Sequence, residues 1–235
     1  MPSIPLPVSG STFGFAIANG RLKIAKVYYV YKSPKQMNSK LPQSYRQSIA
    51  SRTTWHYLKG WLIRWWTNLR YAFIRSLARR KGAVIGEAVV IPLSLARKAN
   101  ENLVVGSHVS IQTDKLDLRN PIHIVSNVII GAETEIITTS HNIDSPEFGQ
   151  KDYGITIDDY VWISGKVTIV PSCRHIGQGA VVGTGSIVVH NVEPMSVVGG
   201  NPAQEFKKRT SLHTDLVVES LLGGDFDAYR EARNG

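Results

Sequence analysis

Aliphatic residues recur about every six positions in the second half of the chain. The clearest run consists of Ile157, Ile163, Ile169, Ile176, Val182 and Val188, and earlier copies begin at Ile85, Val105, Ile124 and Ile130. This period matches neither the repeat of a helix nor the alternation of a half-buried strand. A unit of six residues cannot bury its own apolar face, so the copies have to stack on one another. The pattern therefore predicts a solenoid over most of residues 84–203.

The spacing also predicts the shape of each coil. If every unit forms one short strand and a turn, three units close a triangle whose aliphatic residues point inward. One step in the series is seven residues long, which predicts an extra residue at a corner near Cys173. Ile136 and Ile157 are 21 residues apart, more than a strand and turn need. The excess, residues 140–154, is polar and contains Pro146, so it predicts a protruding loop.

Residues 84–208 resemble the hexapeptide-repeat acyltransferases. The most specific stretch is GITIDDYVWISGKVTIVPSCRHIGQGAVVGTGSIVVHNVEPMSVVGGNPAQEFKK, residues 154–208. Its VWI, its V-x-x-N-V-E-P turn and its closing VVGGNPA are similar to the galactoside, maltose, virginiamycin and colanic-acid-type O-acetyltransferases. The resemblance implies an all-β solenoid, a left-handed parallel β-helix, with residues 83–203 as the acyltransferase domain. Residues 204–235 are then expected to form a C-terminal tail with a short capping helix.

Residues 1–82 differ in composition from the rest of the chain. They contain 15 of the 27 Lys and Arg residues, 13 of the 20 aromatic residues and no Asp or Glu. The remainder has 12 basic and 18 acidic residues, so the two parts carry +15 and −6 within the net charge of +9. Such an asymmetry predicts an anionic partner or surface. We expect no nucleic acid, because no recognisable nucleic-acid motif accompanies these residues.

Within this basic N-terminal segment, residues 55–81 predict an amphipathic helix, because apolar residues recur at steps of three and four. The stripe consists of Trp55, Leu58, Leu62, Trp65, Leu69, Phe73 and Leu77, surrounded by Lys59, Arg64, Arg70, Arg75, Arg79, Arg80 and Lys81. Basic residues beside Trp and Leu suit the interface of an anionic membrane. Alternatively the stripe caps the first coil or packs between subunits, and both roles can hold together.

Composition also bounds the compartment. No apolar run is long enough to predict a clean transmembrane helix. Residues 1–20 are apolar, but Pro and Gly interrupt them and no basic residue precedes them, so we expect no signal peptide. The single cysteine, Cys173, excludes an internal disulfide and is expected to pack rather than react. These features favour a cytoplasmic protein, with peripheral contact to the inner membrane face through residues 55–81.

The chemical candidate is His141, in the sequence TTSHNIDSPEFG where the repeats give way to the loop. Transfer of an acyl group from a thioester to a hydroxyl needs a base that is unprotonated near neutral pH, and imidazole meets this condition. The resembling acetyltransferases carry their essential histidine in the same setting, about twenty residues before the tryptophan of VWI. The resemblance therefore implies that His141 is the general base.

The resemblance also implies a site for acetyl-CoA. Trp162 and Gly165 match residues that flank the thioester and the pantetheine arm, and the Gly165 N–H is the expected oxyanion donor. Thr184 matches a residue beside that arm in the next coil. Gly200, Asn201 and Pro202 match the adenine end of the groove, and Lys207 or Lys208 could pair with phosphate. His190 stands near the coenzyme phosphates at a position where relatives often have lysine.

The other histidines are expected to be structural, since His108 and His123 lie in interior repeats and His175 lies near a corner. Carbonic anhydrases built on the same β-helix need a second histidine a few residues after the first in the equivalent loop. Here His141 is followed by NIDSPEFG. We therefore expect no metal site.

Coenzyme binding in the resembling family uses a groove between two adjacent β-helices, which implies a homotrimer. The final residues, 210–235, are expected to cover the last coil. The positions that contact the acceptor in small-sugar relatives fall near Ile111 and Arg119, so the small-galactoside pocket is not reproduced.

The interpretation is an acetyl-CoA-dependent O-acetyltransferase that acts by direct transfer on a sugar hydroxyl. The basic, aromatic front end suits an acceptor held at the membrane, such as a lipid-linked sugar or a growing surface polysaccharide. One alternative is an amino-sugar N-acetyltransferase, which uses a base on an amine. A second, of another class, is a non-catalytic β-helix scaffold, which needs neither His141 nor a coenzyme groove.

Overall fold

The structure is a computed structural model that describes Phe15–Ala18, Arg21–Ile24 and residues 41–234. Phe15–Ala18 (β1) and Arg21–Ile24 (β2) pair antiparallel, with Ala18 opposite Arg21. This pair belongs to a different compact unit from residues 40–235. The rest of the predicted N-terminal segment before residue 41 lies outside the described residues.

In the part of the chain that the structure describes, two helices precede the repeats. These are α1, Gln43–Ala50, and α2, Thr54–Arg80. The side chain of Thr53 accepts a hydrogen bond from the backbone N–H of His56, which satisfies a donor of the first turn of α2. Gly82 follows with a φ of +102°, a conformation that favours glycine and ends the helix. The helix predicted over residues 55–81 is therefore confirmed.

Three parallel sheets follow, and we call them faces 1, 2 and 3. Face 1 contains β3 (Val84–Ile85), β4 (Leu103–Val105), β6 (Ile122–Ile124), β11 (Ile155–Ile157) and β14 (His175–Ile176). Face 2 contains β5 (Ser110–Ile111), β7 (Ile129–Ile130), β12 (Trp162–Ile163), β15 (Val181–Val182), β17 (Ser196–Gly200) and the antiparallel β18 (Ala203–Lys208). Face 3 contains β8 (Glu135–Ile136), β13 (Thr168–Ile169) and β16 (Ile187–Val188).

The chain visits the three faces in a fixed rotation, so each circuit forms one triangular coil. The inward residues make three columns. On face 1 the register aligns Ile85, Val105, Ile124, Ile157 and Ile176, on face 2 Ile111, Ile130, Ile163, Val182 and Val198, and on face 3 Ile136, Ile169 and Val188. All of these side chains are buried. The six-residue period thus predicted these columns except at Ile111 and Val198, which it had not identified as repeat positions.

Two insertions interrupt the rotation. In the first coil a short helix, α3 (Leu93–Lys98), takes the place of a strand on face 3. Between the third and fourth coils the chain leaves the core as a hairpin of β9 (Thr139–His141) and β10 (Gln150–Asp152). This hairpin and its tip are largely exposed, which confirms the protruding loop predicted for residues 140–154.

The corner between faces 1 and 2, the first corner, is a column of residues with positive φ. It contains Ala88, His108, Asn127, Tyr160, Gly179 and Met195. Residues 209–224, which we call the C-terminal strap, run back along this column. Arg209 donates hydrogen bonds to the carbonyls of Tyr160 and Gly179, both at 3.2 Å. Further along, His213 bonds to the carbonyl of Asn127 at 2.8 Å.

The strap ends at the N-terminal helices. It contains a short 3₁₀ helix, Val218–Leu222, whose last carbonyl accepts a hydrogen bond from the Tyr71 hydroxyl at 3.2 Å. The final helix, α4 (Phe226–Asn234), packs against α1 and α2. The prediction that residues 210–235 cover the last coil is therefore wrong. The segment instead runs back past five coils to the N-terminal helices. There Tyr229 stacks on Tyr57 and the buried Asp225 forms an ion pair with Arg64, and these contacts hold its end.

Helix α2 covers the first coil with a different face from the one the sequence suggested. Its buried residues are Gly60, Tyr71, Ile74 and Ala78, whereas most of the predicted apolar stripe is exposed. Arg64, Arg75 and Arg79 lie on the inner side. Arg75 bonds to the Val89 carbonyl, and Arg79 bonds to the Ile85 carbonyl. The prediction that all seven basic residues surround the stripe is wrong for these three. In the described part of the chain, no helix has the length and apolarity that crossing a bilayer requires.

Candidate active site

His141 is the last residue of β9, opposite Gln150 of β10. Its Nδ1 lies 2.9 Å from the carbonyl oxygen of Phe148. Since a carbonyl oxygen only accepts, Nδ1 carries a proton, and in the neutral imidazole Nε2 then keeps the free lone pair. The backbone of the hairpin thereby fixes the tautomer that a general base needs.

Phe148 also fixes the orientation of the ring. The phenyl and imidazole rings stack at 4.6 Å between centroids with an interplanar angle of 10°. Phe148 adopts a φ of +47°, and this positive φ accompanies the bend that brings both its ring and its carbonyl to His141. One residue therefore contacts the imidazole twice, although both side chains remain exposed to solvent.

Asp117 anchors the base of the hairpin. Its Oδ2 accepts hydrogen bonds from the Thr138 N–H and from the Thr139 hydroxyl, both at 3.1 Å. Arg119 forms a paired contact with the same carboxylate, at 2.7 and 2.9 Å. Burial opposes ionisation of Asp117, but the bonds from Arg119 and Thr138 outweigh it and hold its pKa well below the usual range. The start of β9 is thus tied to a permanent negative charge.

The opposite strand of the hairpin has its own polar support. Asn120 donates to the Thr138 carbonyl and to Asp152, both at 3.1 Å. Gln150 donates to the same Asp152 oxygen at 2.7 Å. These contacts place amide, carboxylate and guanidinium groups on the hairpin that carries His141 and at its base, and such groups are typical hydrogen-bond partners for hydroxyl-rich molecules.

The predicted coenzyme residues begin at the corner between faces 2 and 3, the second corner. Trp162 lies on β12 and is 45% exposed, while Gly165 lies in the turn that follows. Neighbouring coils pack closely at this turn: a Cβ added to Gly131 would lie only 2.6 Å from the backbone nitrogen of Gly165. The exposed indole of Trp162 and the glycine turn at Gly165 therefore lie on the same coil.

The next two coils extend this line. The Gly185 N–H donates to the Gly165 carbonyl at 3.1 Å, which places Thr184 and Gly185 directly below Gly165. The Gly200 N–H in turn donates to the Ser186 hydroxyl at 3.2 Å. Gly165, Thr184 and Gly200 therefore follow one another down the second corner. Glycines leave this corner with little side-chain bulk, which fits an extended pantetheine arm lying against the backbone.

Asn201 and Pro202 form the turn between β17 and β18, joined by a cis peptide bond. Lys207 and Lys208 lie farther along β18, opposite Val197 and Ser196. Lys208 Nζ contacts the Glu205 carboxylate at 3.0 Å, so its charge is already partly balanced. Both lysines lie at the far end of face 2 from the Asn201–Pro202 turn.

His190 is separated from the other coenzyme candidates. It follows β16 at the corner between faces 3 and 1, the third corner. There it lines a cavity of about 140 Å³ at the end of the last coil, together with Val188 and Gln204. The structure therefore does not bring His190 to the second corner.

Within one chain His141 is also distant from Gly165. His141 leaves the third corner, and face 3 lies between that corner and the second. From Lys166 to Ser172 the chain crosses this face in about six steps of roughly 3.3 Å, so the corners lie roughly 15–20 Å apart. An imidazole side chain cannot span this gap.

The remaining histidines have structural partners, as predicted for His108 and His175. His108 contacts Glu219 at 3.2 Å, and this bond raises the pKa of His108 against the effect of burial. His175 Nε2 lies 2.9 Å from the Asp158 carboxylate. Burial raises the pKa of the Cys173 thiol to about 11, which fits its packing role. Among the residues that the structure describes, no group of three or more His, Cys, Asp or Glu side chains could hold a metal ion.

Sequence reasoning missed Phe148 and Asp117. The sequence HNIDSPEFG offered a partial signal for Phe148, since Pro and Gly near a loop tip predict a tight turn that returns the chain to His141. Asp117 had no comparable signal. It lies 24 residues before His141, and only the stacking of the second coil on the third brings the two regions together.

Comparisons with known proteins add three findings. WcaF of Escherichia coli strain K12, named for colanic acid biosynthesis and acetylation, is 28% identical over 171 residues, 72% of this chain and 93% of WcaF. Chloramphenicol acetyltransferase of Klebsiella aerogenes is 45% identical over 73 residues, 31% of this chain and 33% of that protein. A hexapeptide-repeat containing acetyltransferase of Vibrio cholerae has a solved structure with a TM-score of 0.50 and 26% identity, covering 71% of this chain and 93% of that one.

No protein-family model matches the chain. Several sequence matches are local. The chain spans only 24–45% of the length of two chloramphenicol acetyltransferases and two yeast acetyltransferases that it matches. The similarity to WcaF and to the Vibrio structure, in contrast, extends over nearly the whole of those proteins.

Proposed function

The chain belongs to the hexapeptide-repeat acetyltransferases, and on that premise we propose that it transfers an acetyl group from acetyl-CoA to a sugar hydroxyl. The coils are then those of a left-handed parallel β-helix. The observation that carries the proposal is the hydrogen bond from His141 to the Phe148 carbonyl, which directs Nε2 as the acceptor nitrogen of the neutral ring on an exposed hairpin.

His141 acts as the general base. Its Nε2 removes the proton from the acceptor hydroxyl as that oxygen attacks the thioester carbonyl. The Gly165 N–H stabilises the negative charge that develops on the carbonyl oxygen. When the tetrahedral intermediate collapses, the carbon–sulfur bond breaks and the imidazolium returns its proton to the leaving thiolate. The products are the acetyl ester and free coenzyme A, without a covalent enzyme intermediate.

The second corner supplies the coenzyme groove. Trp162 packs beside the thioester end, Thr184 beside the pantetheine arm, and the turn of Gly200, Asn201 and Pro202 beside the adenine. Glycines on three successive coils support this assignment, because they let a narrow chain approach the backbone. Lys207 and Lys208 lie at the other end of face 2, so neither lysine is part of this groove within the same chain.

The active unit is a homotrimer in which each site combines two chains. The spacing of the corners supports this, since His141 and Gly165 of one chain lie on opposite sides of face 3. A neighbour related by rotation can place its own second corner against the first chain's hairpin. Sedimentation or light scattering tests the stoichiometry directly.

The acceptor is a saccharide in a surface polysaccharide or a lipid-linked glycan. The name of WcaF refers to colanic acid biosynthesis, a polysaccharide pathway. The polar groups around His141 stand on an open hairpin rather than in a closed pocket, which suits an acceptor larger than a simple sugar. Mass analysis of the products from acetyl-, succinyl- and longer acyl-CoA with a panel of sugars tests the donor and the acceptor. Acetylation of amines alone would favour the N-acetyltransferase, and no transfer at all would favour a scaffold.

A complementation experiment tests the shared site. His141→Ala lacks the base, and Thr184→Trp places an exposed bulky side chain in the coenzyme groove, so each homotrimer should be inactive. When the two variants are unfolded together and refolded at equal concentration, about a quarter of the sites combine an intact hairpin with an intact groove. We expect about that share of wild-type activity to return. Failure to recover activity in verified mixed trimers would contradict a site shared between chains.

A further inference from the structure

The outer face of α2 is an exposed apolar stripe. Its members are Trp55, Leu58, Leu62, Trp66, Leu69 and Phe73, of which Trp55 is 74% exposed, Trp66 69% and Phe73 62%. They follow one another at steps of three and four, so they lie along one side of the helix. Eighteen residue steps correspond to a stripe about 27 Å long. Isolated exposed apolar residues are ordinary, but a continuous stripe of this size marks an interaction surface.

One side of α2 already packs against the core of the protein. Tyr71, Ile74 and Ala78 bury the opposite face against the first coil, and Gly60 admits the Tyr229 ring of α4. Helix α2 is therefore apolar on two opposite sides. The inner side accounts for its packing on the coil, so the outer stripe requires a second environment.

The charges show which environment fits. Arg64 and Arg75 are engaged on the inner side, by Asp225 and by the Val89 carbonyl. Lys59, Arg70, Arg80 and Lys81 are exposed beside or beyond the outer stripe, and none of them forms an ion pair with another residue of the described chain. No acidic residue occurs in residues 1–82 to balance them. The outer stripe thus has a cationic border.

We propose that the outer face of α2 lies flat in the interface of an anionic lipid bilayer. Tryptophan rings and leucines enter the boundary between headgroups and acyl chains, while Lys59, Arg70 and Lys81 contact the lipid phosphates. A second copy of the same face is a poorer occupant, because it would bring these cations against one another. An uncharged protein groove would cover the apolar stripe but leave the cations without partners.

This placement sets the height of the active site above the lipid. Tyr71, Arg75 and Arg79 all contact the first coil, so α2 crosses the end of the coil rather than running along it. The hairpin of His141 leaves the third coil, two strand spacings farther on. One helix diameter and two strand spacings add up to about 20 Å. A sugar joined to a lipid diphosphate through a few other sugar units can reach this height. That consequence rests on the proposed transfer reaction, whereas lipid binding does not.

Vesicle flotation with the full chain tests the surface. The protein should float with phosphatidylglycerol-containing vesicles at low salt and dissociate as salt rises, because each basic residue contributes a screened attraction. Lys59→Glu, Arg70→Glu and Lys81→Glu together should weaken binding at least about tenfold. The matched control, Lys115→Glu, Lys151→Glu and Lys166→Glu, changes the net charge equally but lies at exposed positions of the coil and the hairpin, and should retain more than half of the binding.

The apolar part is tested with Trp55→Ser and Trp66→Ser. These exposed positions leave the core intact, so an unchanged melting temperature should accompany weaker vesicle binding and a smaller blue shift of tryptophan emission. Wild-type protein that ignores anionic vesicles at low salt overturns the proposal, as does an equal loss in the lysine control. An oligomer that dissociates in the tryptophan variant without any vesicle binding would instead make this face a contact between copies. Transfer to a soluble acceptor is measured in parallel, so failure of lipid binding and failure of the proposed reaction remain distinguishable.

Discussion

The first corner and the two other corners of the coil have the same backbone plan but opposite surroundings. At the first corner the C-terminal strap covers the turns, and its side chains satisfy carbonyls of three coils. The second and third corners carry Thr184 and the His141 hairpin, which remain exposed, and Gly165, which is half-buried. The coil thus uses one corner for its own stability, and the proposed function assigns binding and chemistry to the other two.

The difference is electrostatic as well as steric. At the first corner Glu219, 5% exposed, binds His108, and the strap continues to Asp225, which is buried against Arg64 and Tyr45. Around His141 the charged groups are more exposed and bind one another at the rim of the hairpin. Substitutions at the first corner should therefore change stability, and substitutions at the third should change activity.

The largest expected effect is at the third corner. His141→Ala should lower kcat about 10²–10⁴-fold, because the base that removes the hydroxyl proton is lost. The melting temperature and coenzyme affinity should stay nearly unchanged, since the side chain is exposed. Steady-state kinetics and calorimetry check both. His175→Ala serves as the control histidine, and more than half of the wild-type kcat remaining in His141→Ala would contradict the assignment.

Asp225→Ala should lower stability and leave activity nearly unchanged. Removing the carboxylate leaves Arg64 without its ion pair and the Tyr45 hydroxyl without its acceptor in a mostly buried contact. Loss of one partner of a buried pair costs about 3–5 kcal/mol. Urea unfolding should show this loss, while kcat measured well below the unfolding transition stays within about twofold. A large fall in kcat with unchanged stability would show that the two regions are not separate.

Asp117→Asn should fall between these cases. The amide cannot balance Arg119 and binds the Thr138 N–H more weakly, so β9 should hold His141 less firmly. We expect kcat to fall about tenfold, as for a positioning residue. Amide hydrogen exchange should accelerate in residues 138–152 and remain unchanged at the first corner. Normal exchange in the hairpin with reduced kcat would place Asp117 in direct contact with substrate instead.

The smallest expected effect is on the pH dependence of folding stability. Burial lowers the pKa of His213, whose Nε2–H donates to the Asn127 carbonyl while Nδ1 accepts from Arg209. The unfolded chain therefore binds the proton more readily, and this contribution is complete above the ordinary pKa of about 6.5 and is lost as pH falls.

The melting temperature of His213→Asn should accordingly depend less on acid than that of the wild type. His108 has the opposite sign, because its raised pKa adds stability below about pH 6.5 that is lost as pH rises through the folded value. His108→Asn is thus the matched control. Calorimetry between pH 5 and 8 measures both slopes, and parallel slopes for the two variants would contradict the assignment.

The repeats could be predicted from sequence because their period is local. Ile157, Ile163 and Ile169 each announce a strand within six residues, and the three columns follow from their stacking. The position of His141 beside a loop could be read in the same way. Its imidazole geometry could not, since it depends on a carbonyl seven residues away across the hairpin.

Helix α2 and the strap show where sequence is ambiguous. Helix α2 has an apolar stripe on each of two opposite sides, and composition favoured the one rich in tryptophan. The coil packs against the other side, where Ile74 and Ala78 are buried and Arg79 bonds to the Ile85 carbonyl, while Gly60 on that side admits Tyr229 of α4. The path of the strap depends on single contacts, such as His213 with Asn127, between residues that are 86 positions apart. No periodicity encodes such a pair.

The antiparallel strand β18 has a consequence for solubility at high concentration. A coil of parallel strands offers open hydrogen-bonding edges at both ends, along which further coils could add to form a filament. At the first coil α2 and α3 obstruct such growth, and on face 2 of the last coil β18 reverses direction and presents Glu205, Lys207 and Lys208. Reversed polarity and charge both disfavour docking of another edge. The chain thus terminates its own stacking with the residues that follow the last repeat.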